Sequence, residues 1–326
     1  MRSGPAASAC GHATCPIDVD DRGGLWQTVG VGAVTRARVK GTIGIEPGRR
    51  LSFASFGPSD GKAFVWLHGT PGAATQVPDD VRIRAEREGL RIIGVDRPGV
   101  GLSTPHLYRD IVGFADDLER LLDALDVADV GLIGLSGGGP YALAGSARLD
   151  DRVRAVGVLG GVAPTVGSDA IGGGVVALAR FVQPLLRAGR IPLGRGLAGL
   201  VWSLTPLANQ AIGLYGRVSP EADRVLLSEP AFKEVFLGDL TRRANRQFSA
   251  PVADVILFGR DWGFALDDVR APVHWWHGTE DNIVPFAHGE AMAARLPAAF
   301  LHPMTGGGHL AGFGAGSAVL DALTGY

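Results

Sequence analysis

The sequence predicts an α/β protein: a mostly parallel central sheet with helices on both faces and an inserted helical segment. Three observations carry this. Apolar runs alternate with amphipathic stretches from about residue 63 to 160, the pattern of βα units wound around a parallel sheet. The alternation stops from about Val162 to Ser249, where only helical apolar patterning is seen, and resumes at Val273. One apolar run, Val130 to Leu135, ends in Gly134-Leu135-Ser136-Gly137-Gly138, the way a strand delivers a serine onto a tight strand-to-helix turn.

Taken in order, Thr42 to Ile45 and Leu51 to Phe56 read as strands joined by Glu46-Pro47-Gly48-Arg49-Arg50, a Pro/Gly turn. Ala63 to Leu67 is a buried strand running into His68-Gly69-Thr70-Pro71-Gly72. A helix over Asp79 to Glu88 and a strand over Arg91 to Asp96 follow. Asp110 to Leu125 is a strongly amphipathic helix: Ile111, Phe114, Leu118, Leu121, Leu122 and Leu125 share one face, and Asp116, Asp117, Glu119, Arg120 and Asp123 fall elsewhere. After the serine strand come a helix from Gly137 to about Ala147 and a strand over Val153 to Leu159. Beyond the insertion lie the strand Val273 to Trp276, a helix near Ala287 to Leu296, the strand Ala299 to His302 and a last helix after Ala315. The expected organisation is a disordered N-terminal tail (1–25), a core (26–163 and 251–326) and a helical cap, or lid (164–250).

Composition narrows the function classes. The chain has 326 residues, 46% hydrophobic and 20% charged, with a formal net charge of −2, which gives no electrostatic footprint for nucleic acid. Lysine occurs only at Lys40, Lys62 and Lys233. Both cysteines, Cys10 and Cys15, lie in the tail, so no disulfide framework holds the body together and a reducing cytoplasm is the expected home. Cys10-Gly11-His12-Ala13-Thr14-Cys15 lacks a second ligand pair, and no metal is expected. The first 25 residues contain no apolar signal-like run. The uncharged stretch between Arg195 and Arg217 is broken by Pro206, Asn209 and Gln210, so it reads as cap helices rather than a membrane span. Gly57-Pro58-Ser59-Asp60-Gly61-Lys62 is one residue short of a P-loop, and Gly30-Val31-Gly32 lacks the third glycine of a dinucleotide fingerprint. No cofactor is expected.

At the serine turn, Gly134 and Gly138 let the backbone fold back without Cβ clashes. The following helix directs free N–H groups and its positive dipole end at the same spot. A hydroxyl held there can attack a carbonyl, but serine is a weak nucleophile and needs a base that a carboxylate orients. Such groups belong just past the C-terminal ends of strands. Four places meet that rule: Ser136, His68-Gly69-Thr70, Asp281 after Val273 to Trp276, and His309 after Ala299 to His302. Of the eight histidines, His12 is in the tail, His106 and His288 fall in or beside polar surface segments, and His274 and His302 lie inside strands. His68 and His277 precede glycines and brace loops, which leaves His309 in its Gly-rich loop as the base.

The chain resembles the α/β-hydrolase superfamily with a helical cap. His68-Gly69-Thr70-Pro71-Gly72 is similar to that family's oxyanion loop, and Asp96-Arg97-Pro98-Gly99-Val100-Gly101-Leu102-Ser103 to its D-x-x-G-x-G-x-S loop. Ser136 matches the elbow, His277 to Pro285 the acid loop and Gly308-His309 the histidine loop. The resemblance covers roughly residues 40 to 326. It implies Ser136 as nucleophile, His309 as general base and then acid, Asp281 (rather than its neighbour Glu280) as the orienting acid, and the N–H groups of Thr70 and Gly137 as the oxyanion hole. Asp96 and Arg97 would brace loops. The implied activity is hydrolysis of an ester-type bond through an acyl-enzyme, and the apolar faces of the cap point to a small, apolar substrate.

Serine at position 136 argues against epoxide hydrolases and dehalogenases, which carry aspartate there. Aminopeptidases with a Gly-Pro-Gly oxyanion loop fit less well because Thr70 stands where glycine is expected. Thioesterases, lactonases and C–C bond hydrolases use the same triad and stay open, as do a slow, ligand-binding hydrolase-like protein and a membrane-associated lipid hydrolase. Phe181, Val182, Leu185, Leu186, Ile191, Leu193, Leu197, Leu200, Val201 and Trp202 give the cap apolar faces, and Asp261-Trp262-Gly263-Phe264 could reach the pocket mouth. The partner is taken to be a small molecule, with neither nucleic acid nor a membrane; the sequence does not give the oligomeric state.

Overall fold

The computed structural model describes residues 18–19, 36–174, 216, 219–229, 232 and 249–326. The rest of the expected tail, with both cysteines, and the cap residues Phe181 to Trp202 lie outside them. The strands are β1 (Asp18–Val19), β2 (Val39–Glu46), β3 (Arg49–Phe56), β4 (Lys62–Leu67), β5 (Leu90–Asp96), β6 (Val130–Leu135), β7 (Val153–Leu159), β8 (Val273–Gly278) and β9 (Ala299–Met304). Among the described residues they form one sheet in the order β1-β2-β3-β5-β4-β6-β7-β8-β9. β1, β2 and β3 enter antiparallel; every pairing from β5 through β9 is parallel. The helices are α1 (Asp79–Glu88), α2 (Gly113–Ala124), α3 (Gly139–Arg148), α4 (Glu221–Ser228), α5 (Ser249–Phe258), α6 (Ala287–Arg295), α7 (Ala311–Gly314) and α8 (Gly316–Thr324).

Strand alternation sorts the side chains into two cores. Ala63, Val65 and Leu67 of β4 face the same layer as Ile93, Val95, Val130 and Leu132, and α2, α3, α5 and α6 cover it. Phe64 and Trp66 face the other layer with Ile92, Ile133 and Leu135, covered by α1 and α8. Each fully buried Leu, Ile or Phe contributes about 1.5–3 kcal/mol, which explains why these strands read as almost unbroken apolar runs.

Local chemistry sets the element ends. α1 opens on Pro78 with Asp79 and Asp80 in its first turn and stops at left-handed Gly89, whose N–H bonds back to Ala85. α2 begins three residues later than the periodicity suggests, because Asp110 caps it from outside, accepting the Gly113 N–H at 3.1 Å. Asp117 also departs from the amphipathic pattern. It is buried, 2% exposed, and receives Arg49 and the Tyr108 hydroxyl. Where the helix after Ser136 was expected at once, a 3-10 turn (Ser136–Gly138) comes first, and α3 starts at Gly139 with Pro140 in its first turn. α5 straddles the expected cap–core boundary and buries Ile256, Leu257 and Phe258 against the core. No helix among the described residues is long and apolar enough to cross a membrane.

The register brings the C-terminal ends of the parallel strands to one edge: Leu67 sits beside Gly134, Leu135 beside Leu159, Leu159 beside Trp276, and Gly278 beside Met304. The loops after β4, β6, β8 and β9 therefore share that edge.

Candidate active site

The turn after β6 is built by close approach. A Cβ on Gly138 would lie 2.1 Å from the Leu67 carbonyl oxygen, and one on Gly134 would lie 2.6 Å from that of Gly138. The unusual backbone angle belongs to Ser136 itself, with φ of 49°. For a non-glycine residue this conformation costs on the order of 1–3 kcal/mol and persists only where the surroundings enforce it.

Ser136, Asp281 and His309 come together. Ser136 Oγ is 2.9 Å from His309 Nε2, and His309 Nδ1 is 2.7 Å from Asp281 Oδ2. The other oxygen of Asp281 accepts the N–H groups of Ile283 and Val284, each at 2.9 Å. Burial pushes the Asp281 carboxyl up, but the hydrogen bonds from His277 and His309, the His309 charge and the Val284 N–H outweigh it, so the carboxyl is held well below the usual carboxylate range. Glu280, the rival acid, is exposed. His277 braces the acid loop as expected. Trp275 Nε1 donates to its Nδ1 at 3.1 Å, which makes Nε2 the protonated nitrogen, 2.8 Å from the Val284 carbonyl.

The loop after β4 lies against the elbow. A Cβ on Gly69 would be 3.7 Å from the Ser136 Cβ, and one on Gly137 would meet Thr70 Oγ1 at 2.3 Å and Phe258 at 3.0 Å. Thr70 and Gly137, the expected oxyanion donors, are thus neighbours beside the serine. Asp96 ties this loop to β3, accepting the Ala74 N–H at 2.6 Å and the Ser52 hydroxyl at 2.8 Å, and Ser52 Oγ in turn accepts the Leu102 N–H of Asp96's own loop at 3.1 Å. His68 is buried; its Nδ1 donates to the Gly69 carbonyl at 2.7 Å, and its Nε2 accepts the Arg97 N–H at 3.3 Å.

Four side chains differ from expectation or escaped it. His288 is not at the surface: it is fully buried, and its Nδ1 accepts the Ala163 N–H at 3.1 Å. Its spacing of four from Met292 and eight from Leu296, both buried, was the available signal. Burial, then the nearby His277, push its imidazole down to about 4. The folded state thus resists a proton that the unfolded chain takes up below about 6.5. Stability from this residue is present above that value and lost as pH falls toward 4, up to about 3 kcal/mol. Melting curves from pH 7 to 4 are expected to show this loss, and His288→Gln to flatten it; an unchanged slope in the variant would contradict the assignment. Asp223, on α4 and not singled out by the sequence, is fully buried and accepts the Leu310 N–H at 3.1 Å, leaving no room for a Cβ on Gly308. Burial pushes its carboxyl up, against the pull of the Leu310 N–H and His309. Asp254 on α5 is likewise buried and pairs with Arg97 at 2.7 Å. Trp262, expected near a pocket mouth, is packed in the core and its carbonyl accepts the Val112 N–H.

Among the described residues no group of three or more His, Cys, Asp or Glu side chains is gathered to hold a metal; the Cys10–His12–Cys15 segment lies outside them. Serine, histidine and buried carboxylate in this hydrogen-bonded order can move a proton from Oγ to the imidazole while the carboxylate stabilises the cation that forms.

Known proteins share this architecture. The chain is 25% identical over 263 residues to a protein named non-heme chloroperoxidase from Streptomyces lividans, covering 78% of this chain and 87% of that one. An esterase from Exiguobacterium antarcticum superposes with a TM-score of 0.63 at 18% identity, over 91% of this chain and 99% of that one. An esterase from Rhodococcus sp. ECU1013 does so with a TM-score of 0.61 at 20% identity, over 85% and 97%. The sequence profile described as the alpha/beta hydrolase family matches residues 64–322, from within β4 to within α8. With the sheet, the elbow and its partner loops in the order that the sequence resemblance anticipates, the chain belongs to the alpha/beta hydrolase family.

Proposed function

We propose that the protein is a serine hydrolase that cleaves an ester-type bond of a small, apolar substrate through an acyl-enzyme. The observation that carries this reading is the unbroken hydrogen-bonded chain Ser136 Oγ–His309 Nε2 (2.9 Å) and His309 Nδ1–Asp281 Oδ2 (2.7 Å). Ser136 Oγ attacks the carbonyl carbon as its proton passes to His309 Nε2. The carbonyl oxygen becomes an oxyanion that the N–H groups of Thr70 and Gly137 receive. His309 returns the proton to the leaving alkoxide, which departs as the alcohol. A water then gives a proton to His309 and attacks the acyl carbon, and Ser136 is regenerated as the acid leaves. Phe258, beside Gly137, supports an apolar acyl group.

Residues 164–250 are read as a cap over this site, since the sheet passes directly from β7 to β8 across them. The same reading takes the partner to be a small molecule and the compartment to be the cytoplasm. A p-nitrophenyl ester series of increasing acyl length tests it. Saturable turnover with an optimum at one chain length is expected; no turnover of any member would contradict it. A parallel assay with chloride and hydrogen peroxide tests the activity named for the Streptomyces lividans relative.

A further inference from the structure

The geometry points to Asp254 as a positioning residue of the oxyanion hole, acting through Thr70, Arg97 and Tyr141. This inference rests on Thr70 and Gly137 being the oxyanion donors.

The loop His68-Gly69-Thr70-Pro71-Gly72 has few side chains with which to hold itself. Its His68 and Gly69 carbonyls turn inward and meet Arg97, whose Nη1 donates to the His68 oxygen and whose Nη2 donates to the Gly69 oxygen at 3.0 Å. Arg97 is only 2% exposed, and a buried guanidinium without a counter-charge is strongly unfavourable. Asp254 Oδ2 supplies the counter-charge at 2.7 Å. The same oxygen accepts the Thr70 hydroxyl at 2.6 Å, and that hydroxyl accepts from Arg97 Nη2 at 2.9 Å. With both its donor and an acceptor position used, the Thr70 side chain has one orientation. The other oxygen, Oδ1, accepts the Tyr141 hydroxyl at 2.7 Å. Burial, then the Asp254 charge, push that hydroxyl well above its ordinary value, so it stays a donor.

These bonds join the two bodies that carry the oxyanion donors. Thr70 belongs to the loop after β4. Tyr141 is in the first turn of α3, the helix that Gly137 leads into. One carboxylate on α5 grips both, and Arg97 stacks on the Tyr141 ring at 4.8 Å. The spacing between the Thr70 and Gly137 N–H groups is therefore set by a residue from the segment that returns from the inserted cap region. An oxyanion hole acts by preorganisation, so a loosened donor weakens transition-state binding more than substrate binding.

The test compares wild type with Thr70→Val, Thr70→Ser and Asp254→Asn in hydrolysis of p-nitrophenyl acetate, in inhibition by phenylboronic acid, whose serine adduct is tetrahedral, and in thermal melting. Thr70→Val keeps the shape and removes the hydroxyl. It is expected to lower kcat by ~10–100-fold with KM within about threefold, and to weaken the boronate by a similar factor. Thr70→Ser is expected to restore most of both. Asp254→Asn is expected to lower kcat in the same direction; if it does not fold, Thr70→Val decides. A folded Thr70→Val with wild-type kcat and boronate affinity overturns the proposal while leaving the serine mechanism intact. A wild type that neither hydrolyses the ester nor binds the boronate removes the oxyanion role itself, and the proposal with it.

Discussion

Ser136→Ala is expected to lower kcat by about 10³- to 10⁶-fold, the range in which a triad loses its nucleophile. The change removes one oxygen from a half-buried side chain. His309 loses a partner at Nε2 but keeps Asp281 at Nδ1, so the loop should hold its place. A stability change within about 1 kcal/mol is expected, a shift of a few degrees in melting temperature for a chain of this size. Activity and stability thus separate in this variant. Retained turnover in a folded Ser136→Ala would mean that another group carries the chemistry.

The second large effect is at the acid. Asp281→Asn preserves shape but removes the anion, and its amide can present N–H where His309 Nδ1 needs an acceptor. A loss of about 10⁴-fold in kcat is expected, as when a triad acid is made neutral. Glu280→Gln, next in sequence but exposed, is expected to change kcat less than about threefold. The pair separates the two carboxylates that sequence leaves adjacent. Asp281 also contributes to stability with a definite sign. Its folded carboxyl sits below the ordinary value of 3.8. Its contribution is therefore full above that value and is lost as pH falls below it, a lower window than that of His288. Equal losses from both variants would remove the assignment of the acid.

Much of this site was legible because it is written locally. Ser136 and His309 each follow an apolar strand and sit among glycines, and Asp281 follows one through a short loop, so the strand-end rule and the motif order were enough to name as candidates three side chains that lie within hydrogen-bond distance of one another. The sheet was legible because buried parallel strands are apolar on both faces, as Phe64 and Val65 illustrate by packing into opposite cores. Asp254, Asp223 and Asp117 were not legible. Each is a polar residue in a helix, which pattern alone assigns to solvent, and each is buried by a partner far away in sequence: Thr70 is 184 residues from Asp254, and Leu310 is 87 from Asp223. His288 was hidden only in part: its spacing from Met292 and Leu296 marks an inward face, but its partner, the Ala163 N–H, lies 125 residues away. Non-local pairing of buried polar groups leaves no periodic trace.

The most direct measurement is mass spectrometry of the wild-type protein after reaction with a fluorophosphonate, with the adduct mapped by proteolysis. The account predicts one adduct per chain, on the peptide carrying Ser136, with loss of ester hydrolysis in proportion to labelling. A folded protein that hydrolyses esters with no adduct at Ser136, or with the adduct elsewhere, would contradict it.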